Sequence, residues 1–206
     1  QGLYVAPYRP TPLSFKVDGV TYFNERPIST QQSGFTFISQ MRSWLPRQIG
    51  GVLWFGNDDA NMVSFTPCYC SMTVQPECYN TPGADAVNFS MDNAYWVCNW
   101  VSNMVYPRYS MMFPAVKELR DRLDNRYLSQ QDAIEAEAQR ILSEKGEQAC
   151  AKYLNDYSVR EAQDMLRQWR ELAVYLIVKY NDMAVKPEKD GKFELTPDGI
   201  GATVQR

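Results

Sequence analysis

Two strand-like segments near residue 50 restrict the fold of this chain. Residues 35–41 place alternate side chains on opposite sides, in the period-two pattern of a β-strand. Gly50 and Gly51 then precede the unbroken apolar run Val52–Phe55, which is short enough for a strand buried on both faces. We therefore expect Trp54 to lie in the buried centre of a sheet.

A third strand is predicted shortly after this run. The small polar residues 57–61 are typical of a turn. Residues 62–66 follow as a strand candidate that runs into Pro67. The pattern predicts three successive strands of one antiparallel sheet.

The segments on either side of these strands are less regular. Residues 1–15 are rich in proline and predict an extended arm over another surface. Residues 16–23 carry Asp18-Gly19 between apolar residues, which is the usual signal of a β-hairpin. Residues 71–88 contain two prolines and a glycine and predict a long loop.

Helical periodicity begins near residue 90. Ser90 is a plausible N-cap for a buried helix over 91–105, which Pro107 would end. Charged residues become frequent beyond Pro114, and Ser158-Val-Arg-Glu161 has the form of a capping box at the start of a further helix. Three amphipathic stripes are predicted: Val116, Leu119, Leu123 and Tyr127; Ile134, Ala138, Ile141 and Leu142; and Ala162, Met165, Leu166, Trp169, Leu172, Ala173, Leu176 and Ile177.

Strands that come first and helices that follow predict an α+β fold with helices layered on an antiparallel sheet. We divide the chain into an antiparallel sheet region, residues 1–88, and a helical region packed on it, residues 89–206, with a polar tail. Residues 191–196 are interpreted as an edge strand or a frayed end.

Composition excludes several functional classes. The net charge of −3 provides no basic field for nucleic acid, and no apolar segment approaches the length of a membrane span. The chain has no histidine, which excludes Ser-His-Asp and Cys-His catalysis. Because the chain begins with Gln1 in a proline-rich run, we interpret it as a processed or cut piece of a longer protein.

Five cysteines remain as candidate ligands or nucleophiles: Cys68, Cys70, Cys78, Cys98 and Cys150. The Cys-x-Cys spacing at residue 68 is shorter than zinc sites use and no second pair follows, so no metal is predicted. Buried thiols are expected, or one or two disulfides if the protein is exported. A disulfide between Cys68 and Cys70 is disfavoured because both would project from one side of a strand.

Three polar groups are candidates for ligand binding. Asp58-Asp59 has the composition of an ordinary turn but is also suited to a cation or a substrate amine. Gln31, Gln32 and Ser33 precede a strand, where they would either hold a carbonyl oxygen or form a polar strand edge. Arg42 is suited to gripping a carboxylate through two hydrogen bonds, or it marks a surface strand end.

Over roughly residues 16–182 the sequence resembles the carboxy-terminal part of the PepD-type dipeptidases, the secernin-like cysteine peptidases with an N-terminal nucleophile. The resemblance rests on strand and helix signatures rather than on one catalytic motif. The signatures are Gln31-Gln-Ser-Gly-Phe-Thr-Phe-Ile-Ser-Gln-Met-Arg-Ser-Trp-Leu-Pro46, Ile49-Gly-Gly-Val-Leu-Trp-Phe55, Ser64-Phe-Thr-Pro-Cys-Tyr69 and Tyr95-Trp-Val-Cys-Asn-Trp-Val-Ser-Asn-Met-Val-Tyr-Pro-Arg-Tyr109.

This resemblance implies a four-layer αββα sandwich in which an N-terminal cysteine attacks a peptide carbonyl and its own α-amine acts as the base. That cysteine would belong to an amino-terminal part, which becomes the expected partner of this chain together with a short peptide substrate. By resemblance, Gln32 and Ser33 are the expected substrate-binding residues, and the chemistry of Arg42 adds it to this set. No cofactor is expected, an oligomer is compatible with the sequence, and a periplasmic or secreted location is favoured over the cytoplasm.

Two alternatives stay open beside the dipeptidase. One is a binding or scaffolding module that kept the fold and lost the nucleophile. The other is an amidase or acylase that directs the same nucleophile at a non-peptide amide.

Overall fold

The computed structural model describes residues 14–23 and 29–194. The chain folds as α+β, with antiparallel sheets followed by a helical region. The predicted arm lies outside the described residues apart from Ser14 and Phe15. The predicted division at residue 88 falls in the loop before the first long helix, and the two-region description stays a prediction.

The first hairpin forms where the Asp-Gly turn predicted it. Strands β1, Ser14–Val17, and β2, Val20–Phe23, pair antiparallel. Asp18 and Gly19 both have positive φ, 49° and 80°. Two central residues with positive φ match the right-handed twist of the flanking strands, which explains why Asp-Gly is favoured here.

The main sheet has three strands, β3 (Phe35–Met41), β4 (Gly51–Asn57) and β5 (Thr66–Tyr69), in the order β3-β4-β5. Both pairings are antiparallel, as predicted. The short helix α1, Arg47–Gly50, links the first two strands. Gly50 is required there because a Cβ atom would lie 2.6 Å from the Arg42 carbonyl oxygen.

The third strand begins where we predicted it to end, so the prediction of a strand over 62–66 is wrong. Met62 and Val63 are buried in the turn segment that leads into β5. The apolar character of these residues therefore reflects core packing outside a strand. Pro67 lies within β5, which is tolerated because β5 is an edge strand of its sheet.

Within the described residues, the main sheet is more fully covered on one side than on the other. Val52 and Trp54 are buried on the side that faces the helices, so the predicted burial of Trp54 is confirmed. Leu53 and Phe55 project from the other side and are only half-buried. The expectation that Val52–Phe55 is buried on both faces is therefore wrong for the described chain.

Helix α2, Ala94–Val105, begins three residues later than predicted. Its N-cap is Asn93, whose side chain accepts a hydrogen bond from the Trp96 N–H at 3.2 Å. The Ser90 hydroxyl instead accepts from the Asp92 N–H, at 3.1 Å, and stabilises the preceding turn. Helix α2 ends before Pro107, which lies in a single 3₁₀ turn, Tyr106–Arg108.

Two long helices, α3 (Tyr109–Lys145) and α4 (Glu147–Tyr180), form an antiparallel hairpin around Gly146. Hydrogen bonds from Arg122 to Gln168 and from Tyr180 to the Met111 carbonyl show the antiparallel alignment. The first two predicted stripes share helix α3, which continues through Pro114. All members of the third stripe except Ile177 are buried.

The predicted capping box at 158–161 is wrong, because both of its residues lie in the interior of α4. The Ser158 hydroxyl accepts a hydrogen bond from the Tyr69 N–H at 3.3 Å. Glu161 pairs with Arg126 of α3 at 2.8 Å. These residue types serve here to join α4 to the sheet and to its neighbouring helix.

The described chain ends in a small hairpin of β6, Glu188–Lys189, and β7, Lys192–Phe193. This hairpin overlaps the first residues of the predicted 191–196 edge strand, and residues 195–196 lie outside the described range. Despite their length, neither α3 nor α4 is apolar enough to cross a membrane, and the same holds for every other helix in residues 14–23 and 29–194.

Candidate functional site

The turn that follows β4 is the most unusual polar feature of the described chain. Asn57, Asp58 and Asp59 are all buried there. Asp58 has a φ of 88°, a left-handed conformation that is uncommon outside glycine. The turn is tied to the start of β3, since the Asp58 N–H donates to the Gly34 carbonyl at 3.1 Å.

Asp59 has a structural role in this turn. Its Oδ1 accepts hydrogen bonds from the Ser29 hydroxyl at 2.5 Å and from the Asn61 N–H at 2.9 Å. Its Oδ2 accepts from the Tyr106 hydroxyl. Both carboxylate oxygens are therefore satisfied, and Asp59 joins the turn to the segment before β3 and to the end of α2.

Asp58 has a different environment. It is completely buried, and its carboxylate oxygens make no well-aligned hydrogen bond among the described residues, with the Ser102 and Asn99 side chains and the Asp59 backbone as weaker partners. Burial raises the pKa of Asp58 to about 7, although the polar side chains of Ser102 and Asn99 oppose the shift. A carboxyl group of this kind is close to half-protonated at neutral pH.

Asn57 is the last residue of β4 and shares its side of the sheet with Phe55 and Leu53, because side chains alternate along a strand. Its Oδ1 is buried and has no hydrogen-bond partner within the described part of the chain. A buried acceptor without a partner in the native fold is a candidate contact for a water molecule or a ligand.

The side of the main sheet opposite α3 and α4, hereafter the open face, carries Phe35, Phe37, Leu53, Phe55 and Asn57. Phe35 is 60% and Phe37 53% exposed, and the two rings stack with a centroid separation of 6.3 Å. Phe35 also stacks on Phe55 at 6.1 Å. An apolar surface of this kind marks a contact with another chain segment or a ligand.

A cavity of about 350 Å³, hereafter the open-face cavity, lies between the open face and the loop after β5. It is lined by Leu53, Phe55, Cys68, Met72, Thr73, Val74, Gln75, Pro76 and Tyr79.

The three predicted site residues are placed at the two ends of β3. Gln32 and Ser33 lie in the turn before the strand, where the Gln32 Oε1 accepts from the Thr30 hydroxyl at 2.5 Å and the Ser33 N–H donates to the Thr30 carbonyl at 3.0 Å. Arg42 follows the strand. A seven-residue strand spans about 20 Å, so one small substrate does not bridge these residues, and their role in substrate binding stays a prediction.

The Arg42 guanidinium binds the carboxylate of Glu135 in the same chain. Its Nη1 and Nη2 donate to the two carboxylate oxygens of Glu135, at 2.7 and 2.6 Å. The two side chains are only 12% and 7% exposed. The sequence showed the chemistry of Arg42 but not this partner, which is 93 residues away.

The cysteines are free thiols. Burial raises the pKa of Cys68 to about 11 and of Cys78 to about 12, and it also raises the pKa of Cys98 and of Cys150. These four thiols are therefore protonated at neutral pH, the unreactive form. Cys70 is exposed just after β5.

The sequence predicted the polar turn, but it did not show that Asn57 and Asp58 would lack well-aligned hydrogen bonds. Asp58 and Asp59 were indistinguishable as neighbouring acidic residues, whereas the fold satisfies Asp59 and leaves Asp58 without a well-aligned hydrogen bond. No group of three or more His, Cys, Asp or Glu residues in the described ranges is placed to share a metal ion.

The α+β fold and the family signatures agree with one class of protein, the peptidases. Residues 8–122, more than half of the chain, match Peptidase family C69, and the chain belongs to this family. The match covers the hairpin, the main sheet, α2 and the first turns of α3. A search of curated proteins finds no match.

Proposed function

We propose that this chain is the carboxy-terminal part of a cysteine dipeptidase of family C69 that hydrolyses short peptides. The family makes the protein a peptidase. The substrate size and the identity of the nucleophile are parts of the proposal. In the proposed mechanism an N-terminal cysteine attacks the scissile carbonyl with its own α-amine as the base, which requires no histidine.

The state of the five thiols is the observation that carries this proposal. Four of them have pKa values raised by burial, whereas a catalytic thiol needs a lowered pKa or an adjacent base. Cys70 is exposed just after β5. A nucleophile supplied by an amino-terminal part accounts for a cysteine peptidase in which these four buried thiols are unreactive.

The open face supports the same arrangement. Its aromatic side chains form a surface suited to packing against a second sheet, with helices α3 and α4 already covering the other side. In an αββα sandwich the amino-terminal part would supply that second sheet. Asn57 lies at the end of β4 on the open face and would then point its unpaired Oδ1 into the interface between the sheets.

The proposal is tested with the full-length processed protein and five single Cys→Ser variants at positions 68, 70, 78, 98 and 150. We expect wild-type dipeptide hydrolysis that a thiol-alkylating reagent abolishes. Each variant should keep its activity and its sensitivity to the reagent, because the reactive thiol lies elsewhere. Loss of activity in one folded variant, with the others unaffected, would place the nucleophile in this chain and contradict the proposal.

A further inference from the structure

None of the described residues that line the open-face cavity carries a charged side chain. Leu53, Phe55, Met72, Val74 and Pro76 give it an apolar wall, and its polar groups are neutral at physiological pH. Its volume of about 350 Å³ lies within the range of small-ligand sites. Since an unpaired charge would lose its hydration in such a cavity, the lining selects uncharged, apolar groups.

The outer wall of the cavity is held in place from α4. The Asn155 Oδ1, which is buried, accepts hydrogen bonds from the Thr73 N–H at 3.1 Å and the Val74 N–H at 2.9 Å. These two bonds fix the loop after β5 through contacts within the chain. The cavity is therefore preformed, which lowers the entropic cost of binding.

The opposite side is equally well ordered. The Tyr79 ring meets the Phe55 ring edge-on, with centroids 5.1 Å apart, and the Tyr79 and Thr66 hydroxyls are hydrogen-bonded. These contacts occupy the polar atom of Tyr79 and leave its ring as lining. The apolar lining suits the side chain of an apolar amino acid.

The cavity also lies next to the unpaired acceptor of the candidate site. Phe55 and Asn57 are two residues apart on one side of β4, a distance of about 7 Å. This spacing allows one short peptide to reach both a polar contact at Asn57 and the cavity.

We propose that the open-face cavity binds an apolar side chain of the peptide substrate and so sets a preference for apolar over charged residues at one substrate position. This inference rests on the proposed peptidase function of the site and adds the substrate class to it. Val74 lies at the rim of the cavity and is 61% exposed. A substitution at Val74 is therefore the most direct way to alter the substrate preference.

The test compares Leu-Ala with Lys-Ala and Ala-Leu with Ala-Lys as substrates of the full-length protein. In Val74→Asp a carboxylate at the rim should disfavour leucine and favour lysine. We expect one of the two leucine-to-lysine ratios of kcat/KM to fall by at least about tenfold. The matched control is Val87→Asp, at a residue that is 86% exposed and outside the cavity lining, and it should leave both ratios unchanged.

Binding is measured in parallel, through the Met72 methyl resonance on addition of N-acetyl-leucinamide, again in the full-length protein. A shift in wild type that Val74→Asp weakens supports the cavity. Hydrolysis with both ratios within about twofold of wild type in Val74→Asp overturns the cavity assignment alone. If the protein binds N-acetyl-leucinamide but hydrolyses none of the dipeptides, the cavity assignment stands and the proposed function is wrong. If it shows neither binding nor hydrolysis, the cavity assignment and the proposed function are both wrong.

Discussion

At the scale of single residues, Asp58 is the group that ordinary folding rules do not explain. A buried carboxylate without partners is costly, and burial is the largest cause of its raised pKa. Its left-handed backbone adds further strain. Groups that lower stability in this way concentrate at functional sites, which is why we place Asp58 in the candidate site.

Asp58→Asn should therefore stabilise the protein at alkaline pH. The folded-state pKa is about 7 and the ordinary value is 3.8, so the folded state retains a proton that the unfolded state has lost between these values. The free energy of unfolding then falls as pH rises through this interval, by about 4 kcal/mol in all. We expect Asp58→Asn to be close to neutral at pH 4 and stabilising at pH 8, in urea unfolding experiments.

Asp18→Asn is the control for this comparison. Asp18 also has positive φ but is exposed in the hairpin turn, and its replacement should change the free energy of unfolding by less than about 0.5 kcal/mol at either pH. Equal effects of Asp58→Asn at pH 4 and pH 8 would show that the carboxyl group does not titrate as described.

At the scale of elements, Arg42 and Glu135 fasten the end of β3 to α3. The Tyr69 hydroxyl and the Gln131 amide also donate to Glu135, at 2.9 and 3.0 Å. The buried carboxylate thus receives hydrogen bonds from β5, from the residue that follows β3 and from its own helix. Removing one member of such a network leaves a buried charge without its partner.

We expect Arg42→Ala and Glu135→Ala each to lower the free energy of unfolding by about 3–5 kcal/mol. The double variant Arg42→Met/Glu135→Leu should lose less than the sum of the two, since it leaves no unpaired charge. Arg140→Ala, which removes two exposed ion pairs on α3, should cost about 1 kcal/mol or less. An Arg42→Ala protein with unchanged stability and a raised KM would instead support the role in substrate binding that the sequence predicted.

At the scale of the whole molecule, the three-stranded sheet has helices on one side and the open face on the other. Phe35, Phe37 and Phe55 stack there and leave much of their ring surface accessible. We propose that this surface packs against the amino-terminal part in the complete peptidase. The 206-residue chain should then associate or bind hydrophobic dyes when it is produced alone.

The prediction is tested by analytical ultracentrifugation and dye fluorescence of the isolated chain. Phe35→Ser/Phe37→Ser should reduce dye binding, whereas Trp44→Ser, at an exposed residue beyond the end of β3, should reduce it less. Adding the separately produced amino-terminal part should suppress the signal in wild type. A monomer that binds little dye would show that the open face needs no partner.

Features set by neighbouring residues were predicted from the sequence. The Asp18-Gly19 turn, the strands at 35–41 and 52–55 and the apolar stripes of α3 and α4 all depend on local conformation and a repeating period. Element boundaries were predicted less well, because Ser90 and Ser158 have the composition of caps, whereas competing contacts place them in a turn and in a helix interior.

Only the tertiary structure decided which polar groups are paired. Arg42 meets Glu135 and Tyr69 meets Ser158 across 93 and 89 residues, and no local pattern records such separations. The sequence shows two adjacent aspartates, and the fold gives Asp59 well-aligned donors, whereas the donors near Asp58 are poorly aligned. A buried carboxylate is stabilised only when hydrogen-bond donors from distant segments reach it. Those donors come into contact with it only when the chain folds.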